Sequence, residues 1–203
     1  MMELNNTQVE WLKTFWYKHA LDAKAYVNRT RLGGSFALRN DKELHQYVED
    51  IFSTKDPGGQ LCMLVGPLGC HADVLWDVGS EHWQHWTTEQ PGRTRYAVLE
   101  TDAMDPMHTT MFQQTVDPAS WKGVLTSDVI FNKSNLKLKR TSYNPLWYSH
   151  HKEIFEERLS IARIERIPVG RIIEWKTNQL HIGQSFESCG ATYKLHLTVI
   201  TKE

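Results

Sequence analysis

Two amphipathic helical patterns lead the chain, and short apolar runs separated by turn residues make up most of the rest. Val9, Leu12, Phe15, Trp16 and Ala20 recur at the three- and four-residue spacing that lines one face of a helix. Thr7 with Glu10 three residues on has the form of a capping box, so a helix is predicted from about Gln8 to Tyr26. A second helix is predicted to start near Asp41, to carry Leu44, Tyr47, Val48, Ile51 and Phe52 on one face, and to be stopped by Asp56-Pro57-Gly58-Gly59. After Gly59 the texture changes to runs rich in Val, Ile, Thr and aromatics, which predicts strands near 60–65, 72–78, 94–100, 109–115, 128–131, 159–167, 171–176 and 193–201. Eight such strands suit a jelly roll, and the expected fold is mainly β with N-terminal helices. His150 to Arg158 reads as one short inserted helix.

No repeat, low-complexity stretch or linker divides these patterns, and 203 residues suit one domain: a helical part over 1–58 and a β core over 59–203. No apolar run approaches the roughly 20 residues that span a bilayer. The polar start, Met1 to Thr7, lacks the basic and apolar regions of a secretory signal, which points to the cytoplasm. Cys62, Cys70 and Cys189 are odd in number and show no CxxC spacing, so reduced thiols are expected rather than a disulfide framework or zinc ribbon. Cys70 and Cys189 read as small packing residues, since no base is placed by sequence to activate either thiol. With 23 basic and 24 acidic residues there is no global field to attract nucleic acid or an anionic membrane. The one basic run, Asn132 to Arg140, reads first as protection of a strand edge and only second as a contact to nucleic-acid phosphate. Eight tryptophans exceed what a core of this size needs, a weak pointer to some of them lining a cleft.

The chemistry-bearing pattern begins at Cys70-His71-Ala72-Asp73. On a strand, side chains two apart project from one face, so the imidazole of His71 and the carboxylate of Asp73 can converge on one ion. Non-haem iron(II) oxygenases use two histidines and one carboxylate on one face of an octahedron, leaving positions open for co-substrate and oxygen. His181, in Trp175-Lys176-Thr177-Asn178-Gln179-Leu180-His181 just after the strand opened by Pro168-Val169-Gly170, is the natural second histidine. Asp77, four residues after Asp73, is a competing carboxylate that spacing disfavours. His82 and His85 lie between strands, where an aromatic flap and a merely structural role are equally good readings. An H-x-D tripeptide alone is weak evidence in a chain with ten histidines; order and context give it weight.

H-x-D early in the β region, a distal histidine after a Gly-initiated strand, and a basic residue on the last strand together resemble the 2-oxoglutarate oxygenase superfamily. The likeness is strongest in Trp147-Tyr148-Ser149-His150, Pro168-Val169-Gly170-Arg171-Ile172-Ile173-Glu174-Trp175, Leu180-His181, and Gly190 with Lys194 to Thr201. It runs from about Gln60 to Thr201 and is similar to small oxygenase-like proteins of phages and marine bacteria, which places the expected location in the cytoplasm of a bacterial cell or phage-infected host. The resemblance implies a double-stranded β-helix of cupin-like form, with His71, Asp73 and His181 holding iron(II) and a basic residue holding the distal carboxylate of the co-substrate 2-oxoglutarate. Lys194 is expected in that last role. It lies thirteen positions after His181, a longer interval than the family's usual one, which a loop over Gly183 to Gly190 would absorb. Alternation puts Lys194, His196 and Thr198 on one face of the last strand and Tyr193, Leu195, Leu197 and Val199 on the other. Arg171 is the reserve candidate.

The reaction so implied consumes oxygen and 2-oxoglutarate, releases succinate and carbon dioxide, and hydroxylates a C–H bond. A carboxylate at Asp73 points to hydroxylation over halogenation, since related halogenases vacate that position for a halide; desaturation and ring closure stay open. Two rival readings are a cupin-like metalloenzyme that makes no succinate, and a β-sandwich binding or phage structural protein that binds no metal. The prime substrate and the oligomeric state stay open.

Overall fold

The computed structural model describes residues 2–20, 34–65, 92–115, 160–177, 179–184 and 186–201. Helix α1 (Asn6–Ala20) is followed by β1 (Gly34–Ala37), a 3-10 turn (Leu38–Asn40), α2 (Lys42–Phe52), β2 (Gly58–Val65), β3 (Arg93–Thr101) and β4 (Met107–Thr115). Then come β5 (Ile161–Ile167), β6 (Ile172–Lys176), β7 (Gln179–Gly183), the one-turn helix α3 (Phe186–Cys189) and β8 (Tyr193–Thr201). The strands expected near 72–78 and 128–131 and the helix expected over 150–158 lie outside the described residues.

The helices form on the predicted faces; the second starts at Asp41 as expected, and the first has a different cap. Val9, Leu12, Phe15, Trp16 and Ala20 of α1 are buried, but the capping box is built by Asn5 and Gln8 in place of Thr7 and Glu10: Gln8 N donates to Asn5 Oδ1 and Asn5 N donates to Gln8 Oε1, each at 2.9 Å. In α2, Asp41 caps the first turn by accepting from Glu43 N and Leu44 N. The helix ends at Phe52, where Ser53 takes a left-handed conformation, so Gly58-Gly59 open β2 rather than stopping α2. The part expected to be purely helical also contains a strand, because β1 pairs with β2.

The described residues are mostly β, in two antiparallel sheets with the orders β1-β2-β8-β3-β6 and β5-β4-β7. One face of the large sheet packs on the helices: Leu61, Met63, Ala97, Leu99, Leu195, Leu197 and Val199 form one apolar cluster with Leu12, Trp16, Leu44 and Val48. Each such fully buried side chain contributes roughly 1.5–3 kcal/mol, so this cluster holds the helices in place. The other face meets the small sheet, and Val98, Ile173 and Trp175 of the large sheet cluster with Met111 and Ile167 of the small one. The outer edge at β6 is covered by the N-terminal segment, with Leu4 N donating to Gly170 O and Ile172 N to Met2 O. No helix among the described residues is long and apolar enough to cross a membrane.

Candidate functional site

The space between the two sheets holds the polar side chains of interest. β8 alternates as its sequence requires: Leu195, Leu197 and Val199 face the helices, so Lys194 and His196 face the small sheet. Both are buried, Lys194 at 8% exposure and His196 at 6%. The Lys194 ammonium lies 5.6 Å from the ring centre of Tyr96 on β3 and 5.9 Å from that of Phe186 on α3. Such aromatic faces attract a cation. The Lys194 charge also reaches the thiol of Cys62 on β2, which burial pushes up to about 12 and the ammonium draws back down. Helix α3 occupies the long interval between His181 and Lys194 and brings the Phe186 ring to the ammonium.

His181 enters from the other side. It sits inside β7, not after a strand as the sequence had indicated, and is paired with Met111 on β4. At 2% exposure it is one of the most buried polar residues described. Its Nδ1 lies 3.1 Å from the carbonyl oxygen of Gln179. When Nδ1–H donates there, Nε2 keeps its lone pair, the tautomer in which a histidine ligates a metal. The imidazole packs against Trp175 of β6, ring centres 5.1 Å apart. Trp175 in turn lies 6.1 Å from Tyr96, and Tyr96 lies 5.1 Å from His196. Ring contacts therefore run continuously from the ammonium of Lys194 to the imidazole of His181.

The remaining expected residues are placed as follows. His71, Asp73, Asp77, His82, His85, Cys70 and the basic run 132–140 lie outside the described residues. Arg171 is on the rim, where it donates to Glu165 Oε2 and to the Arg166 carbonyl, each at 2.8 Å. Among the described residues no cluster of three or more His, Cys, Asp or Glu forms a metal cage; they supply two imidazoles, His181 and His196, and one ammonium, Lys194. Three further inward residues were not singled out from sequence: Thr94, Tyr96 and Trp175. Thr94, Tyr96 and Val98 share a face by alternation within β3, and the surplus of tryptophans was the available signal for Trp175.

No protein-family model matches the sequence, and no curated protein matches it in sequence. Solved structures do match in fold. Over 97% of this chain and 73% of the other, it is similar to the non-heme alpha ketoglutarate dependent epimerase SnoN from nogalamycin biosynthesis, with a TM-score of 0.50 and 7% identity. The non-heme alpha ketoglutarate dependent carbocyclase SnoK from the same biosynthesis matches over 97% and 76% at a TM-score of 0.46 and 9% identity, a level from which nothing is argued. At such identities the likeness extends to a shared β-rich fold.

Proposed function

We propose that this chain is an iron(II)- and 2-oxoglutarate-dependent oxygenase built on a jelly-roll, double-stranded β-helix core. If β2 is the first strand of the roll, the large sheet reads first, eighth, third, sixth in its chain order and the small sheet fifth, fourth, seventh. That interleaving is what two nested Greek keys produce. The observation that carries the reading is a buried imidazole, His181, and a buried ammonium, Lys194, facing the same inter-sheet space and joined by the Tyr96 and Trp175 rings.

In this reading His71, Asp73 and His181 hold the metal and Lys194 holds the distal carboxylate of 2-oxoglutarate. The described members are suited to these roles: a histidine oriented by a backbone carbonyl suits a borderline metal, and an ammonium screened from water suits a dicarboxylate. Bound iron(II) supplies oxygen activation and removal of hydrogen from a C–H bond. The chain's own residues bind and orient: Lys194 fixes one end of the co-substrate, Gln179 fixes the His181 ring, and Tyr96 with Trp175 keeps water from the space between. Arg171 is disfavoured for the carboxylate because Glu165 already engages it. Hydroxylation is the reading for the product, as hydrogen removal from a C–H bond followed by return of oxygen to the same carbon.

The test needs no prime substrate. Protein supplied with iron(II), oxygen and 2-oxoglutarate is expected to release succinate slowly, and His71→Ala protein to release none. Absence of succinate together with absence of 2-oxoglutarate binding in calorimetry would remove the proposal.

A further inference from the structure

Among the described residues, the indole Nε1 of Trp175 and the hydroxyl Oγ1 of Thr94, both buried between the sheets, have no hydrogen-bond partner. Trp175 is 6% exposed and Thr94 is fully buried. They are neighbours, since Thr94 on β3 and Trp175 on β6 are direct cross-strand partners. They also share a face. Trp175 and Ile173 pack into the inter-sheet cluster while Ile172 packs on the helices, and Tyr96 and Val98 point inward while Ala97 and Leu99 point to the helices. Thr94 is therefore inward by alternation. A buried donor left unmade costs free energy, and two side by side at a candidate site mark a place where a ligand oxygen belongs.

Their position within the fold indicates which ligand. In the β3–β8 ladder Thr94 is opposite Ile200 and Lys194 is opposite Thr101, so the pair and the lysine backbone are at opposite ends of the same sheet. Lys194 reaches inward from its end to Tyr96, and Trp175 lies one ring further on, at steps of 5.6 and 6.1 Å. Those two steps bound the separation of the ammonium and the Trp175 ring from above, and an extended five-carbon dicarboxylate with a hydrogen bond at each end reaches roughly 12 Å, from bonds of about 1.5 Å and contacts of about 2.8 Å, enough to bridge them. At the far end of that span is His181, 5.1 Å from the Trp175 ring.

We infer that the Trp175 indole N–H and the Thr94 hydroxyl hold the keto-acid end of 2-oxoglutarate, the end opposite Lys194, beside His181. This rests on the proposed function and assigns residues to it. The indole donates to an oxygen of the C1 carboxylate; the Thr94 hydroxyl donates to the same group. A carboxylate is a strong acceptor, and an N–H held by packing on Tyr96 and His181 needs no rearrangement to meet it.

The test uses zinc(II)-loaded protein, which is redox-silent, with 15N-labelled indoles. The Trp175 N–H signal, identified by its loss in Trp175→Phe, is expected to move downfield on addition of 2-oxoglutarate. It should move little with butyrate, which keeps one carboxylate for Lys194 and has none at the other end. Trp175→Phe keeps an aromatic ring but removes the donor with the second ring, and should weaken 2-oxoglutarate about ten- to a hundredfold in calorimetry; Thr94→Val, which is close to isosteric, removes a donor without that loss of volume and should weaken it about tenfold. Zinc affinity should stay as in the parent. If the parent and Trp175→Phe bind 2-oxoglutarate equally while Lys194→Ala binds it poorly, the inference is overturned and the proposed function stands. If the parent binds no 2-oxoglutarate, both fall.

Discussion

Replacing Lys194 by alanine is the sharpest perturbation of the proposed site, because the consequence follows from burial. Lys194 is 8% exposed and flanked by the Tyr96 and Phe186 rings, so a carboxylate bound to its ammonium is little screened by water. Removing one member of a buried ion pair strands the other and typically costs about 3–5 kcal/mol. At about 1.4 kcal/mol per tenfold, the dissociation constant of 2-oxoglutarate should rise on the order of a hundredfold or more. The assay is anaerobic calorimetry of the iron(II)-loaded protein, with iron affinity measured separately and expected to be unchanged. Lys194→Arg should recover part of the affinity, since guanidinium keeps the charge but is planar and bulkier. Lys194→Met serves as a packing control and should bind 2-oxoglutarate as poorly as alanine while melting no lower than the parent. Arg171 sets the contrast: its side chain is 23% exposed and its Glu165 partner 22%, and a rim pair of that kind is worth about 0–1 kcal/mol. Arg171→Ala should therefore leave co-substrate affinity alone. The reasoning is refuted if Lys194→Ala binds 2-oxoglutarate as tightly as the parent, and doubly so if Arg171→Ala does not.

Other expectations are independent of that one. His71→Ala and His181→Ala should each abolish iron(II) binding, whereas Asp73→Ala should weaken it less and still end hydroxylation; an Asp77→Ala protein that fails in its place would identify the other carboxylate as the ligand. Gly59 has φ of +106°, and an added Cβ would run into the Thr198 carbonyl, so Gly59→Ala should lower stability by at least about 1–3 kcal/mol in thermal melts. At Asp102, burial alone would raise the carboxyl, but hydrogen bonds from the Thr192 side chain and the Thr192 and Tyr193 backbone outweigh it and hold it below its ordinary value. A carboxyl lowered on folding stabilises above its unfolded value and loses that contribution as pH falls through the folded one. The melting-temperature gap between parent and Asp102→Asn should thus be full near neutrality and close in acid; a gap constant with pH would contradict it.

The helices were legible because their signal is long. Five apolar positions over α1 and a polar cap before α2 survive any single misreading, and the faces of both came out as expected. The cap of α1 was less so, since Asn5 with Gln8 and Thr7 with Glu10 offer the same chemistry two residues apart. β8 was legible because Tyr193 to Val199 alternate, which set Lys194, His196 and Thr198 on one face; that this face is the inward one came from the packing of Leu195 and Leu197 on the helices. β1 and β7 were not. β1 is four residues long and opens with a glycine, and β7 follows β6 after a two-residue gap although the two strands lie in different sheets. A period-2 pattern cannot signal that the chain has crossed between sheets, so His181 read as following a strand. Thr94 and Trp175 escaped notice for a related reason: each is ordinary within its own strand, and only the β3–β6 register brings them together.

α1 and α2 pack on the face of the large sheet opposite the site, yet they determine its geometry through β8. This strand is interior to the large sheet, between β2 and β3, and its two faces have opposite requirements. A slip of one residue would drive Lys194 and His196 into the apolar cluster with Leu12, Trp16 and Leu44 and expel Leu195 and Leu197 from it. Placing an unpaired ammonium there costs far more than any ladder bond regained, so the packing of α1 and α2 protects the register of the polar face. The ladder has one irregularity, a register shift between Val98 and Glu100 of β3, opposite His196 and Leu195. An extra residue at this point lets Leu99 and Glu100 both turn toward the helices, Leu99 into the apolar cluster and Glu100 to accept from the hydroxyls of Tyr17 and Tyr193 at 3.0 Å each. Val98 remains inward beneath His196. The bulge thus anchors α1 and the start of β8 to one carboxylate, one residue before Lys194, without moving any side chain out of the inter-sheet space.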